Sequence, residues 1–125
     1  MFGRGVVVVE DDAGLRTALE KVLSAGGHSP RMFESAEALL ASGVAAGAGC
    51  LVLDIRLPGM SGVELYRELA ARGDAPPVIF MTAYDEPAVR AETQRLGAAA
   101  YLMKPFRGRE LLDAVSETLG VNAGQ

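Results

Sequence analysis

The sequence has one cysteine, Cys50, so no intrachain disulfide can form. No histidine and no second cysteine lies near it, which makes it a small buried residue at the start of a strand rather than a redox or catalytic thiol. There is no Lys/Arg run, and the net charge is −4, so the chain lacks the electrostatic footprint of direct nucleic-acid contact. The only apolar run near the N-terminus is four valines, too short for the apolar segment of a signal peptide, and nothing later is long enough to span a bilayer. The expectation is a soluble, cytoplasmic protein without membrane contact. Repeats, linkers and low-complexity segments are missing as well. What remains is 125 residues, half of them apolar and 22% charged, enough for one domain over 1–125 with a buried core. That core is expected over about 5–119, with 120–125 as a frayed tail or linker stub.

Strand and helix patterns alternate along the chain. Val6–Val9 is a continuous β-branched run, as in a central strand buried on both faces. Over 13–25, Leu15, Ala18, Leu19, Val22 and Leu23 share one helical face, and Gly26-Gly27 stops the helix. The stretch 28–33 contains Pro30 and a mixed pattern that suits a sheet edge. Ser35 caps a short helix to Ser42, and the small-residue stretch 43–49 leads to Leu51-Val52-Leu53, a buried strand ending on Asp54. Pro58-Gly59 marks a turn, and Ser61 with Glu64 has capping-box spacing for a helix through Leu65, Tyr66 and Leu69. A third apolar strand follows at 77–81. A helix then opens at Asp85-Glu86-Pro87 and closes at Gly97, its apolar stripe reduced to Val89 and Leu96. The last strand covers 101–103 and the last helix 107–119, buried through Leu111, Leu112, Val115 and Leu119. Five strands alternating with five helices specify an α/β fold: a doubly wound, five-stranded parallel sheet of order 2-1-3-4-5, flavodoxin-like.

In such a sheet, ligands bind beyond the carboxyl ends of the strands. The first strand here ends in Glu10-Asp11-Asp12, the third in Asp54, the fourth in Thr82 and the fifth in Lys104-Pro105. Carboxylates gathered in one crevice repel by roughly 4 kcal/mol per close pair at an effective dielectric near 20. A hard divalent ion with oxygen ligands offsets this, and Mg²⁺ suits a site shared with phosphate. Lys104 adds a fixed positive charge. Taken singly, Asp12 reads as a helix N-cap rather than a ligand, and Thr82 or a lysine before proline would carry little meaning. Their joint placement at four strand ends of five is what points to a phosphoryl site.

The segments Val-Val-Glu-Asp-Asp, Leu-Asp-Ile-Arg-Leu-Pro-Gly-Met-Ser-Gly, Met-Thr-Ala and Lys-Pro-Phe, in this order and spacing, resemble the signature of the response-regulator receiver domains of two-component signalling. The likeness runs from about Gly5 to Leu119, and the block at 54–62 is nearly diagnostic. The resemblance implies that Asp54 is the phosphoacceptor. It implies further that Glu10 and Asp11 hold Mg²⁺ together with Asp54 and the backbone carbonyl of Arg56. Thr82 and Lys104 would bind phosphoryl oxygens, Tyr101 would be the aromatic switch, and the Lys104–Pro105 bond would be cis. The donor would be a phosphohistidine on a sensor histidine kinase or phosphotransfer protein. The domain would also help to hydrolyse its own acyl phosphate, a switch that reacts with itself rather than a turnover enzyme. Phosphorylation would change the 84–107 surface to control an output domain or protein target. No output domain follows within this chain. Near Asp113, where receivers joined to winged-helix domains typically carry a basic residue, the sequence is acidic, so the likeness does not extend to dimerisation through that charged face.

Other phosphoryl chemistries fit less well. A haloacid-dehalogenase-type hydrolase needs a second aspartate two residues after the nucleophile, and Arg56 stands there. A flavodoxin-like nucleotide binder needs a first loop that cradles phosphate, which Glu10-Asp11-Asp12 would repel. A receiver used only for docking would not need the complete residue set.

Overall fold

The computed structural model describes residues 5–120, so 121–125 of the expected tail lie outside the described residues. Five strands, β1 (Val6–Val9), β2 (Arg31–Phe33), β3 (Cys50–Asp54), β4 (Val78–Thr82) and β5 (Ala100–Met103), form one parallel sheet in the order β2-β1-β3-β4-β5. The helices are α1 (Ala13–Ala25), α2 (Ala36–Ser42), α3 (Gly62–Ala71), α4 (Pro87–Arg95) and α5 (Gly108–Leu119).

Alternation along the strands divides the core into two layers. Val7, Val9, Leu51, Leu53, Val78 and Phe80 face Ala36 and Leu39 of α2, Leu65, Tyr66 and Leu69 of α3, and the apolar side of α4. Val6, Val8, Cys50, Val52, Ile79 and Met81 face Leu19 and Leu23 of α1 and Leu111, Val115 and Leu119 of α5. β1, β3 and β4 are buried throughout, as their unbroken apolar runs require.

The helix signals act as read. Ser35 accepts from the Ala38 amide, and Ser61 and Glu64 form the reciprocal capping box of α3. The structure corrects four details. β2 is shorter than the 28–33 stretch and covers only Arg31–Phe33, at the sheet edge that Pro30 suits. The 43–49 stretch contains a 3₁₀ turn, Val44–Gly47, which buries Ala45. Ala18 is exposed although it lies on the apolar side of α1. In α4 the buried residue is Thr93, whose hydroxyl donates to the Arg90 carbonyl at 2.7 Å, while Val89 and Leu96 are half-buried. The α4 helix is further tied to α3 by an Arg67–Glu92 ion pair.

Candidate functional site

Sheet register assembles the site. Val9 pairs with Leu53, Asp54 with Met81 and Thr82 with Met103, so Glu10, Asp54, Thr82 and Lys104 emerge at one end of the sheet. Alternation then sorts them. Glu10 continues the Val6–Val8 side and Asp54 the Cys50–Val52 side, both towards α1 and α5. Thr82 continues the Val78–Phe80 side, the one Tyr101 packs on.

Glu10 and Asp54 are 1% and 4% exposed, and Asp11 is exposed at the rim. One carboxylate oxygen from each of these three residues lies within 4.8 Å of the others. Lys104 Nζ donates to Glu10 Oε1 at 2.8 Å and to Asp54 Oδ2 at 2.7 Å, and the Lys104–Pro105 bond is cis. The Arg56 amide donates to Asp54 Oδ1 at 3.1 Å. The Asp12 amide donates to Glu10 Oε2 at 3.0 Å, while the Asp12 carboxylate caps α1 by accepting from the Leu15 amide. Burial pushes the Glu10 carboxyl above its ordinary pKa, with the Asp54 charge adding to it, although the bonds from Lys104 and the Asp12 amide pull the other way. Burial alone would lower the Lys104 ammonium, but its bonds to Asp54 and Glu10 outweigh burial and hold it above its ordinary value.

Thr82, 1% exposed, is engaged elsewhere. Its hydroxyl donates to the Tyr84 carbonyl at 3.2 Å and accepts from the Tyr84 amide at 3.1 Å. Tyr101 is half-buried under the Arg90 guanidinium, 4.6 Å from the ring centroid, and its buried hydroxyl has no hydrogen-bond partner among the described residues. The structure thus brings Glu10, Asp11, Asp54 and Lys104 together. It leaves Thr82 and Tyr101 on the opposite face, towards α4.

Several contacts were not legible in the sequence. From α1, Arg16 Nη1 donates to the carbonyls of Glu10 at 2.9 Å and Asp11 at 3.3 Å. From α2, Glu37 accepts from the Met60 amide at 2.9 Å, which ties down the loop after Asp54 and lowers the Glu37 pKa. The Arg56 side chain lies over the exposed Tyr84 ring at 4.3 Å and pairs with Glu86 at 3.0 Å, bridging two loops beside the site. Gly62 packs so closely that a Cβ would stand 2.2 Å from the Asp54 carbonyl oxygen. An arginine on an amphipathic helix and a glutamate in a first turn are ordinary surface residues by sequence, so nothing marked them.

The donor set consists only of oxygens, which is the chemistry of a hard divalent cation. Lys104 supplies one fixed charge to the two buried carboxylates, and Asp11 leaves the cluster still net negative. An acidic pocket of this kind can hold a cation.

A family model described as the response regulator receiver domain matches residues 6–116. The chain is 38% identical over 117 residues to the transcriptional regulatory protein TdiR of Thauera aromatica, covering 94% of this chain and 52% of that protein. It is 41% identical over 120 residues to the transcriptional regulatory protein FixJ of Azorhizobium caulinodans, covering 96% and 57%. It therefore spans about half the length of these relatives. Among solved structures, response regulator StyR superposes with a TM-score of 0.86 at 38% identity, over 96% of this chain and 61% of that one. FixJ-N superposes with a TM-score of 0.82 at 32% identity, over 93% of each.

Proposed function

The chain belongs to the response regulator receiver family, a phosphoacceptor signalling switch rather than a turnover enzyme, and on that premise we propose that Asp54 is the phosphoacceptor. The observation that carries this is the pairing of Asp54 with Lys104 at 2.7 Å in a pocket that holds two further carboxylates. An Asp54 carboxylate oxygen attacks phosphorus, the P–N bond of a phosphohistidine donor breaks, and the imidazole keeps the electron pair. The donor is a sensor histidine kinase or phosphotransfer protein. The family's acidic pocket takes Mg²⁺. Here Glu10, Asp11, Asp54 and the Arg56 carbonyl would hold it, and when bound it offsets charge on the transferring oxygens.

Lys104 then exchanges its carboxylate partners for a phosphoryl oxygen, and Thr82 rotates from Tyr84 to donate to another. Tyr101, whose hydroxyl has no partner to lose among the described residues, moves into the space that Thr82 leaves. The 84–107 surface changes and acts on an output domain or protein target. This single receiver unit covers about 5–119, and it helps to hydrolyse its own acyl phosphate. Incubation with acetyl phosphate and Mg²⁺ tests the assignment by intact mass: the wild type gains one phosphoryl group and Asp54→Asn does not. A full adduct on Asp54→Asn refutes it.

A further inference from the structure

We propose that Arg16 is a positioning residue that sets the geometry of the cation site; the proposal rests on the reading that Glu10, Asp11 and Asp54 receive Mg²⁺. After Val9 the chain leaves the sheet and must place two consecutive carboxylates towards a third on another strand. The Glu10 amide is fixed by the Phe33 carbonyl at 3.0 Å, and α1 begins after the Asp12 cap. Between these anchors lie the two peptide units that orient Glu10 and Asp11. Arg16 Nη1 reaches back over them and donates to both carbonyls, at 2.9 and 3.3 Å. Among the described residues no other side chain bonds either carbonyl. Glu10 has further support from Lys104 and the Asp12 amide. Asp11 is exposed, and among the described residues no hydrogen bond orients its carboxylate, so its direction depends on the backbone that Arg16 holds.

The charge of Arg16 makes the proposal decidable. A guanidinium beside a cation site repels the cation, so an arginine acting only as a charge would weaken Mg²⁺ binding, and its removal would tighten it. An arginine acting as a clamp strengthens binding by pre-aligning the ligands, and its removal weakens it. The two roles predict opposite signs for one substitution. Contacts that orient metal ligands are commonly worth a 10–100-fold change in affinity. For this half-exposed clamp the lower end applies, so Arg16→Met should bind Mg²⁺ roughly tenfold more weakly.

The experiment titrates Mg²⁺ alone into wild type, Arg16→Met, Arg16→Lys and Asp11→Asn, followed by backbone amide shifts. It also measures the Mg²⁺ concentration that half-saturates Asp54 labelling by acetyl phosphate. Arg16→Met should shift both curves to higher Mg²⁺ while reaching the wild-type labelling rate at saturation. Arg16→Lys should fall between the two. Equal or tighter binding by Arg16→Met overturns the clamp. A urea melt in chelator checks that Arg16→Met folds. If it does not, Arg16→Lys carries the test: weaker binding than wild type supports the clamp, and equal binding overturns it. Wild-type Mg²⁺ affinity in Asp11→Asn overturns the cation-site reading itself and is distinguishable from failure of the Arg16 step alone.

Discussion

Lys104→Met removes the one ammonium that holds two buried carboxylates together. Glu10 and Asp54 then face each other out of water, with no counter-charge between them. Breaking a buried ion pair from one side costs about 3–5 kcal/mol. The Lys104 side chain is 18% exposed, so water relieves part of this and about 3 kcal/mol is expected. With a urea slope of roughly 1.5–2 kcal/mol/M, the midpoint in EDTA at pH 7.5 should fall by about 1.5–2 M. The pH dependence has a fixed sign. Burial already raises Glu10 in the wild type, and loss of Lys104 raises it further above its unfolded value of about 4.3. A carboxyl raised in the folded state favours folding when protonated, and that stability is lost as pH climbs from the unfolded value through the folded one. The deficit of Lys104→Met should therefore be large at pH 7.5 and shrink towards pH 4.5. Mg²⁺ should stabilise the variant more than the wild type, because the cation no longer competes with an ammonium. An unchanged midpoint in EDTA at pH 7.5, or a deficit that does not shrink with acid, refutes this account of the site.

Thr82→Ala should still accept phosphate on Asp54 but fail to reorganise residues 84–101. Two charge-assisted bonds at roughly 1.5–3 kcal/mol each can approach the about 5.5 kcal/mol needed to invert a 1:99 population, and one cannot; a full wild-type response in amide exchange counts against it. Gly62→Ala drives a Cβ into the Asp54 carbonyl at 2.2 Å and should cost about 1–3 kcal/mol or more in a urea melt, whereas Gly47→Ala meets no atom within 4 Å and should be near neutral; equal midpoints would show that the loop yields freely. Burial pushes the Cys50 thiol to about 12. It should resist thiol reagents until the protein unfolds, and stability should fall as pH rises from about 9 towards that value; rapid labelling of the native protein is the contrary result.

Local patterning along the chain was enough for the elements, their order and the chemistry of the strand ends. Unbroken valine and leucine runs can be satisfied only by strands covered on both faces, and Ser35, Ser61 and Asp12 act as caps through contacts three residues away. Such local rules need no partner elsewhere in the chain. Tertiary structure alone decided which residues meet. Sheet register and alternation put Glu10, Asp54 and Lys104 in one hydrogen-bonded group, and turned Thr82 and Tyr101 to the other face. Arg16, Glu37 and the Arg56 side chain gained their roles only when helices and loops folded against the site. Likewise Thr93, polar by sequence, became the buried residue of α4 because its hydroxyl is satisfied by its own helix and the packing of the helix selected that face. Periodicity reports which side of an element is apolar; it carries no information on which long polar side chain reaches which backbone group, since that distance is set by the packing of elements far apart in the chain.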